Sequence, residues 1–361
     1  MRGLHSTITR LAKLRGAAND SGHGDGRLHE LESFGANPGN LRALTYVPDT
    51  FRKGDALVVV LHGCTQHAGG YDRGSGWSEL ADRHGFALLY PEQRRGNNTN
   101  LCFNWFVPAD ARRGKGEARS IAEMVRKVVE TEGIDPARVF VTGLSAGGAM
   151  TAVMLASYPE LFAGGAIIAG LPFATADTLP DALERMRGSG GPSAGRLAVL
   201  AAGAAPRSAK PPILSVWHGS GDHIVAPSNG EHIVAQWRGL HGADETPARI
   251  EIVDGHRRRT WTNAAGKPVI EHYVVSGMGH GVPLVTRGDD GVGEPGAHML
   301  ETSISSTRHI ARFWGLLGGE RVAPKPKVEA VRTARLSSAR PAASGVTAVI
   351  ESALRKAGLM R

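Results

Sequence analysis

Cysteine is scarce in this chain: Cys64 and Cys102 are the only two among 361 residues. Neither these nor the 15 histidines fall at the dense spacing of a metal centre, so no metal ligand set is expected. Long apolar runs are missing as well. No segment approaches the roughly 18 consecutive apolar residues that a membrane-spanning helix requires. The stretch 1–20 carries positive charge without a continuous apolar run, and it does not read as a secretory signal. Aromatic residues make up only 6% of the chain, and no segment interleaves them with basic ones as a nucleic-acid platform would. No internal repeat is found.

What is present is an apolar content of 41%, enough for one large core. The net charge of +8 is unevenly spread: residues 321–361 hold nine Lys or Arg against two Glu, so seven of the eight charges sit there. The rest is almost neutral, which again removes nucleic acid as an expected partner. This end is rich in Pro, Ala and Ser and reads as a solvated linker. Within 344–358, Val346, Val349, Ile350, Ala353 and Leu354 recur at helical spacing. Two readings stand for it: a short amphipathic helix docked or unfolded, or a contact with an acidic surface or polymer granule. The expected organisation is an N-terminal extension over 1–41, a catalytic domain over 42–318 and a basic tail over 319–361.

The order of elements predicts a mostly parallel α/β sheet. Residues 42–47 form a short strand, and 56–61 is a continuous apolar run of the kind buried on both faces. Another strand is expected at 86–90. Ile121, Val125, Val128 and Val129 mark an amphipathic helix within 117–131, which leads into a strand at 138–142 and completes a βαβ unit. Later strands are expected at 165–169, 213–217, 250–253 and 269–275, with a closing helix at 304–317. The weakly periodic, Ala/Gly/Pro-rich segment 173–212 is either a cap over the site or a plain surface insertion.

The strand at 138–142 runs into Gly143-Leu144-Ser145-Ala146-Gly147, with a small-residue helix after it. In a chain holding 48 glycines the bare pattern is weak, but strand, turn and helix together read as a nucleophile elbow. Ser145 is then the nucleophile of a hydrolase. The strand at 56–61 ends in His62-Gly63-Cys64-Thr65-Gln66, which places a second backbone donor, so the N–H groups of Cys64 and Ala146 are the expected oxyanion hole. A serine hydroxyl needs a base and the base needs an acid, in the chain order Ser, Asp or Glu, His. Asp222 follows the strand at 213–217 and is the chosen acid, with Asp254 in reserve. His280, flanked by glycines after the strand at 269–275, is the chosen base.

These blocks resemble a known family. LHGCTQHAGGYDRGSGWSELADRHGFALLYPEQ, NLCFNWF, IDPARVFVTGLSAGGAM, WHGSGDHIVAPSNG and GMGH occur in order, and the run from 46 to 315 is similar to polyhydroxybutyrate depolymerase esterases. The resemblance implies an α/β-hydrolase fold, helices on both sheet faces, a triad of Ser145, Asp222 and His280, and an oxyanion hole at Cys64. It also implies that Asn100 and Trp105 line the substrate cleft; Trp105 otherwise packs in the core. Asn229 fits the block after the acid and reads as a helix cap rather than a catalytic group. Family members often carry Trp after the histidine, whereas Gly281-Val282-Pro283-Leu284 follows here, so the leaving-group side is expected to differ.

Cys64 and Cys102 both fall inside these blocks near the implied cleft. A disulfide between them would brace the Cys64 loop and would need an oxidising compartment. The family is commonly extracellular or periplasmic, yet no signal is recognised, so the thiol state and the compartment stay open. The basic tail does not resemble a polymer-binding module, which favours soluble oligoesters or amorphous polymer over crystalline polymer. The expected activity is hydrolysis of poly(3-hydroxybutyrate) or 3-hydroxyalkanoate oligomers, without a cofactor. A feruloyl or acetyl xylan esterase is the alternative, and a non-catalytic polymer binder on a hydrolase scaffold is the reading from another class.

Overall fold

The computed structural model describes residues 26–206, 209–319 and 321. The tail helix expected at 344–358 lies outside them. Ten strands form one sheet. The first half comprises β1 (His29–Glu30), β2 (Arg42–Tyr46), β3 (Leu57–Leu61), β4 (Ala87–Glu92) and β5 (Val139–Leu144). It continues with β6 (Gly164–Ile168), β7 (Ile213–Gly219), β8 (Arg249–Val253), β9 (His256–Thr262) and β10 (Pro268–Val275). Their spatial order is β1-β2-β4-β3-β5-β6-β7-β10-β9-β8. From β4 to β10 neighbours run parallel, while β1, β2, β8 and β9 add antiparallel margins. A separate parallel pair joins β11 (Val282–Leu284) to β12 (Met299–Glu301).

Side-chain alternation along β3 explains the layering. Leu57, Val59 and Leu61 belong to one core cluster and Val58 and Val60 to the other, all at most 1% exposed. A strand buried on both faces needs helices on both. On the first face, α3 (Gly116–Glu132) supplies Ile121, Val125 and Val128, α4 (Ala146–Ser157) supplies Met150 and Val153, and α7 (Ser228–His241) supplies Ile233 and Trp237. On the second, α1 (Ala68–Ser75), α2 (Trp77–His84) and α8 (Ser306–Phe313) supply Tyr71, Trp77, Leu80 and Ile310. Burying each such side chain stabilises the fold by about 1.5–3 kcal/mol. This is the expected α/β-hydrolase arrangement.

The segment 173–212 contains α5 (Leu179–Met186) and α6 (Ala194–Ala202). Buried Gln236 of α7 fastens it: its Oε1 accepts from Phe173 N–H at 3.0 Å, and its Nε2 donates to the carbonyls of Phe173 and Leu197 at 2.9 and 3.0 Å. Strand β9 was not foreseen. Its sequence HRRRTWT shows no apolar alternation because Arg258 is neutralised in place, donating to Glu251 at 2.8 Å and to buried Glu271 at 2.7 Å. At the margins, β1 falls within the expected N-terminal extension. Arg321, within the expected tail, pairs with Asp55 and donates its N–H to Arg83 O at 2.8 Å.

Candidate active site

Ser145 stands where β5 turns into α4, at φ 57° and ψ −117°. A non-glycine residue at positive φ stores about 1–3 kcal/mol of strain, so the surroundings must hold it. They do so through Ser145 N–H, which donates to Ile168 O at 2.9 Å, and through close backbone contact. A Cβ on Gly147 would stand 2.2 Å from Leu61 O, and one on Gly143 would stand 2.5 Å from Gly147 C. Only glycine at both positions lets α4 approach β3 and β5 this closely. The serine is half-buried at the floor of a cavity.

The loop after β3 forms one wall. His62 Nε2 accepts from Gln93 N–H at 3.1 Å, so its Nδ1 carries the proton and donates to Gly63 O at 2.8 Å. Gly63 N–H is held by Gln66 Oε1 at 2.9 Å, and Thr65 N–H by Asn100 O at 2.6 Å. Cys64 lies between these anchors and is bonded to Cys102. Its own N–H has no acceptor among the described residues. Ala146 N–H, at the first position of α4, is one of the donors a helix leaves unpaired. Both expected oxyanion donors therefore stand free on the cavity that Ser145 lines.

Adjacent strands bring the other two residues together. Strands β7 and β10 pair in parallel with Gly219 opposite Val275, so the loops after them must meet. Ser220 N–H donates to Val275 O and Gly221 N–H to Met278 O, both at 2.9 Å. Asp222 and His280 are thereby set with Oδ2 and Nδ1 2.7 Å apart. Asp222 Oδ1 accepts from the N–H groups of Ile224 and Val225, each at 2.9 Å. Burial alone would raise the Asp222 pKa, but hydrogen bonds from His218, His280 and Val225 outweigh it and hold the carboxylate well below its usual range. The reserve acid Asp254 is elsewhere, in the β8–β9 turn, 2.8 Å from His309 Nε2.

The cavity has a volume of about 440 Å³ and is lined by Ser145, Cys64, Ala146, His280, Asn100 and Trp105, among others. Leu179, Ala182, Leu183 and Met186 of α5 line it as well. Trp105 is 8% exposed and meets Phe106 edge to face, so it belongs to both core and cleft. Asn229 is not in the cavity. It ties α5 to the acid loop, its Nδ2 donating to Arg185 O at 2.9 Å and Ala226 O at 3.1 Å. Among the described residues, no group of three His, Cys, Asp or Glu could hold a metal, and no helix is long and apolar enough to cross a membrane.

Two histidines near the site carried no sequence signal of their own. His218 lies 3.4 Å from Asp222 Oδ2, on the oxygen that His280 also uses. His298 lines the cavity, donates from Nδ1 to His280 O at 3.0 Å and packs edge to face on that ring. Burial keeps His298 below the usual histidine range, so it is the uncharged form that faces the cleft. Strands β11 and β12, built by the Val282-Pro283-Leu284 departure, bring His298 there.

Residues 42–258 match the esterase PHB depolymerase family. The chain is 43% identical over 293 residues to poly(3-hydroxyalkanoate) depolymerase C of Paucimonas lemoignei, spanning 81% of this chain and 70% of that protein. It is 33% identical over 270 residues to acetylxylan esterase A of Aspergillus oryzae, spanning 72% and 85% respectively. The acetyl xylan esterase structure from Aspergillus awamori superposes with a TM-score of 0.68 at 25% identity, covering 80% of this chain and 99% of that one. On this match and this kinship, the chain belongs to the esterase PHB depolymerase family and is a carboxylic ester hydrolase.

Proposed function

We propose that the chain is a serine esterase that cleaves 3-hydroxyalkanoate oligoesters, with 3-hydroxybutyrate units as the leading candidate, through an acyl-enzyme on Ser145. The observation that carries this reading is the Asp222–His280 pair, 2.7 Å apart, with His280 opening on the same cavity as Ser145, Cys64 and Ala146. His280 Nε2 takes the serine proton as Oγ attacks the ester carbonyl, while anionic Asp222 stabilises the imidazolium. The N–H groups of Cys64 and Ala146 receive the developing oxyanion, each donor contributing about 2.7–4 kcal/mol to the transition state. His280 then gives its proton to the leaving alcohol. A water molecule, deprotonated by the same nitrogen, attacks the acyl-enzyme and releases the acid and free Ser145.

Leu179, Leu183, Met186, Ile224 and Trp105 give the cavity an apolar lining that suits an alkyl ester chain, and Asn100, in the same lining, is the polar group to meet its carbonyls. Residues 173–212 serve as a cap through α5, within a catalytic domain spanning 42–318. The relation to poly(3-hydroxyalkanoate) depolymerase C at 43% identity supports this substrate class. A second reading, hydrolysis of acetyl or feruloyl esters of carbohydrate, is supported by the 0.68 TM-score to an acetyl xylan esterase. The deciding experiment gives wild type and Ser145→Ala 3-hydroxybutyrate oligomers, acetylated xylan and feruloyl esters, with products identified by mass. Oligomer cleavage that Ser145→Ala lacks is expected; release of acetate or ferulate with intact oligomers would replace the first reading by the second.

A further inference from the structure

We propose that one water bridges His218 and His272 behind the acid, and that this bridged pair orients the Asp222 carboxylate. Both are then positioning residues, and the inference rests on the reading of Asp222 as the triad acid.

The two rings project from neighbouring strands, His218 from β7 and His272 from β10, and each is 1% exposed. Their proton positions follow from their partners. His218 Nε2 lies 2.9 Å from Val225 O, which can only accept, so that nitrogen carries the hydrogen, and the tautomer this selects has its lone pair on Nδ1. The same N–H reaches Asp222 Oδ2 at 3.4 Å. His272 Nδ1 lies 2.6 Å from Arg259 Nη2, which can only donate, so Nδ1 is the lone pair and Nε2 carries the hydrogen. Burial and the Arg259 cation keep His272 far below the usual histidine range, and so uncharged.

What remains is one acceptor, His218 Nδ1, and one donor, His272 Nε2. These are the atoms on the two rings that lack a partner. They converge: a Cβ on Gly230 of α7 would stand 3.1 Å from His272 Nε2 and 3.3 Å from His218 Nδ1. The two atoms make no direct hydrogen bond; one water between them satisfies both buried groups, and leaving them unmet would destabilise the core. The positions are linked outward through Arg259 to Glu231, 2.6 Å apart, and inward through Asp222 to His280. No proton moves along this series; each group fixes the orientation of the next. Gly230 acquires a purpose as well. Glycine inside a helix is about 1 kcal/mol less favourable than alanine, yet here a methyl group would enter the space between the rings.

Gly230→Ala is therefore the informative variant, since helix propensity favours it. The expected result is a folded protein whose thermal midpoint is at or below that of the wild type, because the unmet ring nitrogens offset the gain in helix propensity, with a kcat on a chromogenic ester lowered roughly tenfold and an unchanged KM. His218→Phe is expected to lose as much, and His218→Gln, which keeps a donor near the Nε2 position, to recover most of it. Nitrogen-15 spectra of the wild type are expected to show both rings as Nε2–H tautomers at neutral pH. Wild-type kcat in Gly230→Ala and His218→Phe, with Asp222→Ala inactive, would overturn the pair while leaving the acid in place. An Nδ1–H or imidazolium form of His272 would overturn it too. Full activity in Asp222→Ala would instead remove the acid assignment and the pair with it.

Discussion

Glu117 illustrates how a single residue outside the proposed triad conditions the site. It sits in the first turn of α3, 1% exposed, where its Oε2 accepts from Asn104 N–H at 2.8 Å and its Oε1 accepts from Gln93 Nε2. Gln93 in turn donates to Cys102 O at 3.0 Å, so one carboxyl group props both ends of the wall that carries Asn100 and Cys102. Burial pushes its pKa up to about 8, more than the hydrogen bonds from Asn104 and Gln93 lower it. The unfolded chain would titrate Glu117 near about 4.3, so the folded state binds this proton more tightly. Its contribution to stability is full below that pH and is lost as pH rises toward about 8. Glu117→Gln should remove this slope. Urea midpoints at intervals from pH 5 to 9 are expected to fall more steeply with pH in wild type than in the variant; parallel curves would contradict the account. The positions of Ser145, Asp222 and His280, each within a few residues of a strand end, were legible from sequence because the strands themselves are apolar runs. His298 and Glu117 were not, since the partners of their side chains lie 13 or more residues away in the chain.

At the scale of elements, the loops after β3, β5, β7 and β10 carry the candidate site residues, and the apolar runs marked those strands clearly. Strand β9 and the clamp by Gln236 escaped because both depend on polar partners supplied from other segments. The Cys64–Cys102 bond is the clearest element-level device. The sequence placed both cysteines beside the cleft but left their state open; the fold joins them across a separation of 38 residues. Closing a loop of that length restricts the unfolded chain by about 4 kcal/mol in the entropic account. It also fixes the loop that carries the proposed oxyanion donor, Cys64 N–H. Reduction is thus expected to lower stability by about that amount and kcat by roughly tenfold or more, through donor misplacement. Activity and urea midpoints measured with and without a phosphine reductant check this. An unchanged kcat in fully reduced, folded protein would separate the bond from the oxyanion loop.

At the scale of the whole molecule, the parallel centre of the sheet explains why residues separated by 58 positions, Asp222 and His280, meet at one edge. Strand order, not proximity in sequence, sets the site: β3 and β6 flank β5, and β7 and β10 are neighbours. The fold class was readable because buried parallel strands are apolar without interruption. The tie of α5 to the acid loop, through Asn229 and Arg185, was not, because it links the segment 173–212 to a helix start more than 40 positions away. In the proposed mechanism all reactivity converges on one hydroxyl, that of Ser145. A p-nitrophenyl alkylphosphonate, which a serine nucleophile attacks to form a stable ester, tests that claim by intact-mass and peptide mapping. One adduct per chain at Ser145, formed in step with loss of esterase activity, absent from Ser145→Ala and greatly slowed in His280→Ala, is the predicted result. Labelling at another residue that tracks the loss of activity, or undiminished ester turnover by Ser145→Ala, would contradict it.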